Sequence, residues 1–161
     1  MGADLTTIDG IGVETVAVIM SEYGTEMSKS PTEGEFVKHV GLAPHRPVSG
    51  GKVLKGKHKK QKGTRTAEDL RNAASSLKHS RSALGAYYRR MARRKDSGVA
   101  VLACARKLAG LVYRMLRFGQ PYVDVGQAEY DTRYEETRIR ALKSTAQQMG
   151  FKLVRQEPVT A

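Results

Sequence analysis

Cysteine is nearly missing from this chain. Cys104 stands alone, so no internal disulfide can form, and the pattern fits a reducing, cytoplasmic compartment. No apolar run approaches the ~20 residues that span a bilayer. The first nine residues carry neither the basic start nor the apolar core of a secretion signal. His39, His45, His58 and His79 show no paired ligand spacing, which argues against zinc. A phosphate-loop signature and a two-glycine dinucleotide fingerprint after a strand are both absent. No Asp or Glu lies between Glu35 and Glu68, so that stretch offers no carboxylate cluster for two-metal catalysis. Internal repeats are absent too, and the one low-complexity tract is rich in lysine.

What remains is positive charge. Lys and Arg number 28 against 16 Asp and Glu, a net charge of +12, and the pI is ≈ 10.0. Such an excess points to a polyanionic partner. An acidic membrane surface fits less well, because the charge is not laid along one amphipathic helix with bulky apolar residues opposite.

The charge concentrates between Gly41 and Arg65, GLAPHRPVSGGKVLKGKHKKQKGTR. Arg46, Lys52, Lys55, Lys57, Lys59, Lys60, Lys62 and Arg65 are candidate phosphate contacts. Pro44, Pro47, Gly50, Gly51, Gly56 and Gly63 disfavour a continuous helix, so this reads as a long basic loop. Loops of that length in a compact domain are usually functional or disordered. Ser49 precedes Gly50 and Gly51. By composition it is a turn residue. A serine nucleophile needs a base or a cationic setting; the loop supplies cations, and no triad partner can be named.

Around the loop the pattern is helical, predicting a mostly α domain. Val13 to Gly24 reads as a helix opened by the Gly10–Ile11–Gly12 turn. That start resembles the hairpin of helix-hairpin-helix DNA-binding motifs, in which backbone N–H groups and a helix N-terminus meet a phosphate. A tight turn that only starts a helix is the other reading, and both stand open. Ser30 is expected to cap a short helix ending at Gly41. Thr66 is expected to cap a third, with Ala67, Leu70, Ala74 and Leu77 in the core. Arg81–Lys95 reads as a basic helix, its Arg89, Arg90, Arg93, Arg94 and Lys95 either a solvated face or phosphate contacts. Ser97–Gly119 is the strongest helix and the expected centre, with Ser97 as cap. Ala128–Met149 is a last, mixed-charge helix with Ile139, Leu142, Ala146 and Met149 as its apolar positions. Strand signal is confined to Phe151–Val154.

Three segments in order carry a specific resemblance: IDGIGVETVAVIMSEYG at Ile8–Gly24, FVKHVGLAPHRPVSGGK at Phe36–Lys52, and ACARKLAGLVYRMLRFGQPY at Ala103–Tyr122. Together they resemble the C-terminal domain of the insertion-sequence one-ten/one-sixteen transposases, recombinases guided by a bridge RNA. The family's Gly-Leu-x-Pro…Ser-Gly motif matches Gly41, Leu42, Pro44, Ser49 and Gly50. The resemblance therefore implies that Ser49 is the nucleophile on a DNA phosphate. It also implies DNA and structured guide RNA as partners, a homo-oligomer in the full-length protein, and Mg2+ in a separate RNase-H-like domain bearing four acidic residues. That domain is not in this chain, so no cofactor is expected here and the chain reads as an excised domain or truncated product. The family's Lys-x-Gly occurs only as the looser Lys60-Gln61-Lys62-Gly63, and the tail after Tyr122 is longer than the family pattern. Residues 1–122 are thus read as the serine domain and 123–161 as a helical extension. Two alternatives of other classes remain: a non-catalytic DNA- or RNA-binding helical module, and a helical ribonucleoprotein subunit in which Ser49 is incidental.

Overall fold

A computed structural model describes residues 3–43, 48–49, 52–53 and 63–154. Among these, the chain forms six α-helices: α1 (Val13–Tyr23), α2 (Glu33–Val40), α3 (Arg65–Ser76), α4 (Ala83–Arg94), α5 (Ser97–Phe118) and α6 (Gly126–Gln148). Short 3-10 turns occupy Leu5–Thr7 and Leu77–His79. The domain is mostly α, as the periodicity implies. What precedes the glycine turn is a single 3-10 turn rather than a helix.

Strand pairing lies elsewhere than expected. Val48–Ser49 (β1) pairs antiparallel with Lys52–Val53 (β2), in register Val48 to Val53 and Ser49 to Lys52. Phe151–Val154, the expected strand, takes no regular structure. A lone four-residue strand has no ladder to join, whereas Val-Ser-Gly-Gly-Lys-Val brings its own partner. Gly-Gly is among the preferred two-residue hairpin connections.

Helix starts shift by one or two residues from the expected caps. Thr32, not Ser30, caps α2 by accepting from the Glu35 N–H at 3.3 Å. Ser30 is buried, its hydroxyl 2.9 Å from His39 Nδ1. Thr64, not Thr66, caps α3 through the Ala67 N–H at 3.0 Å; Thr66 is a buried helical residue. Asp96, not Ser97, caps α5 through the Val99 N–H at 2.8 Å. A carboxylate there accepts more strongly than a hydroxyl and adds charge at the positive end of the helix dipole. The stops fall where glycine allows a left-handed turn, with Gly41 at φ 84° and Gly119 at φ 62°.

Helix α5 is the centre, packed against α2, α3 and α4. Ala100, Cys104, Ala105, Leu108, Ala109 and Val112 are all at 0% exposure. So many small side chains let neighbouring backbones approach, while Leu108 and Val112 supply the larger apolar payload. Tyr113 joins α5 to the α2 region: its ring lies 5.8 Å from Phe36, and its hydroxyl donates to the Pro31 carbonyl at 2.9 Å. Burial pushes the Cys104 thiol up to about 12, with nearby Lys107 only partly opposing it. Cys104 is a small core hydrophobe.

Helix α6 is attached at its N-terminal end. The Gln127 N–H donates to the Arg81 carbonyl at 3.1 Å. Asp124 Oδ1 accepts from the Ala83 N–H at 2.9 Å. No residue of α6 is buried, and Ile139, Leu142 and Met149 face solvent. Its expected apolar positions do not meet the core.

Candidate nucleic-acid interface

The two ends of the basic stretch meet at one point on the helical core. Val40 closes α2 and Thr64 caps α3, and the Thr64 hydroxyl donates to the Val40 carbonyl at 2.9 Å. A second clamp comes from α1. The Glu22 carboxylate accepts from the Arg65 N–H and the Thr66 N–H, both at 3.1 Å. Two of the orphan donors at the start of α3 are thereby satisfied by a carboxylate, the favoured charge at that helix end. Partial burial works against the Glu22 charge, but hydrogen bonds from Thr66 and Arg65 outweigh it and hold its pKa below the ordinary carboxylate value. The two ends of the 41–63 stretch, the basic excursion, are thus tied to each other and to α1.

Within that excursion, Ser49 lies on β1 directly opposite Lys52 on β2. The hairpin brings the two together in the backbone ladder. Arg65 is the first residue of α3 rather than part of the loop, and it is exposed. Arg46, Lys55, Lys57, Lys59, Lys60 and Lys62 lie outside the described residues.

The two glycines of the first turn differ in kind. Gly10 has φ 88°, and a Cβ there would sit 2.8 Å from the Ala73 carbonyl oxygen and 3.2 Å from Leu77 Cδ2. It is glycine because the turn packs onto α3. Gly12 caps α1 without a side-chain bond, and a Cβ there would meet nothing within 4 Å. No packing demand explains Gly12, whereas Gly10 shares a shallow surface with Glu14, Arg65 and Asp69.

The family model described as transposase IS116/IS110/IS902 family matches residues 2–89, which include the glycine turn, the hairpin and the whole basic stretch. This chain belongs to the IS116/IS110/IS902 transposase family. No curated protein and no solved structure matches. The family works in DNA transposition. Among the described residues of this transposase chain, no helix is long and apolar enough to cross a membrane.

The basic helix expected at Arg81–Lys95 is α4, and what the sequence does not show is the setting of its Arg90. Arg90 on α4 lies among three tyrosines, its guanidinium 5.4 Å from the Tyr87 ring centre, 4.9 Å from Tyr130 and 3.9 Å from Tyr134. These contacts hold α6 onto α4. Arg90 Nε is buried without a hydrogen-bond partner. Lys107 on α5 places its ammonium 4.7 Å from the centre of the Tyr87 ring. Lost hydration, then the charges of Arg90 and Arg114, hold the Lys107 pKa below the usual lysine value. Sequence offered one hint: Tyr130 and Tyr134 stand four apart on a helix, and so share a face.

Proposed function

We propose that this chain is the serine-bearing, nucleic-acid-binding part of an insertion-sequence transposase. The reading rests on one observation: the family match spans a serine on a short hairpin inside a basic excursion whose ends are tied to the helical core. In this reading, Arg46, Lys52, Lys55, Lys57, Lys59, Lys60, Lys62 and Arg65 hold phosphates, and Gly12 offers backbone donors at the start of α1. Gly10 shapes that turn, keeping the helix-hairpin-helix likeness on the hairpin side only. Residues 1–122 carry this function, and 123–161 extend it.

The chemistry is transesterification. Ser49 Oγ attacks a DNA phosphorus; an O–P bond forms to serine, and the P–O bond to one sugar oxygen breaks. The sugar oxygen leaves as a hydroxyl, having gained the proton that the serine gave up. One phosphodiester replaces another, so no energy source is consumed and the reverse step can seal a new strand. The described residues contain no group of three or more His, Cys, Asp or Glu able to hold a metal. In this reading Mg2+ belongs to the separate acidic domain, and no step here runs through it. DNA and a structured guide RNA are the partners in this reading, the assembled protein is a homo-oligomer, and the compartment is cytoplasmic.

The test combines the chain with its acidic partner domain and guide RNA, then compares Ser49→Ala with the parent. Strand transfer and a trapped protein–DNA adduct should both disappear, by at least about 10³-fold in rate. Binding and melting temperature should stay unchanged. Near-normal strand transfer by the Ser49→Ala protein would leave only the second reading, a non-catalytic binding module, which the +12 charge supports on its own.

A further inference from the structure

Between α4 and α6 lies an open cleft of about 820 Å³, outside the basic excursion. Arg90, Arg93, Arg94 and Arg138 line it, with Tyr134, Asp131 and Glu135. Four guanidinium groups thus share one cleft with two carboxylates. Among the described residues, neither carboxylate forms an ion pair with them. The ion pairs among the described residues are Arg114–Glu33 and Arg133–Glu129, and neither lies in this cleft. Arg93, Arg94 and Arg138 are all exposed. Arg90 is fixed at the inner wall by its three tyrosine rings, with Nε left unpartnered. A buried guanidinium N–H without an acceptor is costly, and arginine's planar fork suits a phosphate in two-point contact.

We propose that this cleft is a second phosphodiester-binding site, in which Arg93, Arg94 and Arg138 contact successive phosphates and Arg90 supplies a fixed positive floor. The site deepens the nucleic-acid reading above and rests on it. A continuous strand meeting both the excursion and the cleft would be gripped on two separate parts of the domain. The phosphodiester comes from duplex DNA or from RNA, and the shared chemistry is the repeating phosphate.

The full chain is titrated with a labelled DNA duplex and, separately, with a labelled RNA hairpin, across a salt series. Arg93→Ala/Arg94→Ala/Arg138→Ala should weaken binding by tenfold or more. For the DNA duplex, the slope of log K against log salt should shrink by about 0.9 for each phosphate no longer held, and for the RNA hairpin it should shrink as well. A weakening confined to one probe identifies the natural strand. Asp131→Asn/Glu135→Gln should act oppositely and tighten binding, and this pair serves if the triple variant folds poorly. Unchanged affinity and slope in the triple variant, or no tightening in the neutralised pair, overturns the cleft. If binding then still falls on replacing Lys55, Lys57, Lys59 and Lys60 with Ala, the nucleic-acid reading survives without it. A parent chain that binds neither probe ends both.

Discussion

Gly10 and Gly12 look equivalent in sequence, and their surroundings separate them. At Gly10 a side chain meets both a positive φ and the backbone of α3. Gly10→Ala should destabilise by about 1–3 kcal/mol. Gly12 is open and extended, so Gly12→Ala should cost only the ordinary N-cap difference between Gly and Ala, about 0.5–1 kcal/mol. Chemical denaturation of the two variants checks this, and equal losses would contradict the packing account of Gly10. Glu22 gives a second case at this scale. Its folded pKa lies below the unfolded one, so its stabilisation is present above the unfolded carboxylate value and disappears as pH falls through the folded value. Glu22→Gln should lower stability by about 0.5–2 kcal/mol at pH 7. Thermal melts from pH 7 to pH 3 should show the parent's advantage over the variant vanishing at the acid end. A constant gap would mean that the carboxylate charge does not matter.

Helix α6 is held by polar and cation–π contacts instead of a buried stripe. It buries no residue, and its link to α4 runs through Arg90, Tyr130 and Tyr134. Tyr134→Ala removes the closest ring. Cation–π contacts of this type are worth about 0.5–2 kcal/mol, enough to raise the undocked population several-fold. Amide hydrogen exchange should quicken along α6 and stay unchanged in α5, whose interior is independently buried. Faster exchange in α5 as well would show that α6 belongs to the core unit.

For the whole molecule the main force on partners is charge. If the excursion between Gly41 and Gly63 carries the phosphate contacts, replacing Lys55, Lys57, Lys59 and Lys60 with Ala should flatten the salt dependence by up to about 3.6 in log–log slope. The fold should be unaffected, because its two tie points, Thr64 to Val40 and Glu22 to the start of α3, are untouched. An unchanged slope would mean that the lysines do not meet nucleic acid.

Local chemistry alone determined the helices, their glycine stops at Gly24, Gly41 and Gly119, the central place of α5, and the basic stretch around Ser49. Those features depend on interactions within a few residues: one-turn side-chain spacing, φ freedom, and runs of like charge. The hairpin at Ser49 carries a local signal too, Val-Ser-Gly-Gly-Lys-Val, which a reading of the stretch as plain loop passes over. Only the tertiary structure decided that Thr64 caps in place of Thr66, because Thr66 is buried inside the helix it was expected to start. It also decided that Glu22 closes the base of the excursion across 43 positions of sequence, and that Arg90 sits among tyrosines from another helix. Such contacts form where the chain returns to itself. No local pattern records that return, since the entropy of closing each loop is offset by the packed core and not by the contact alone.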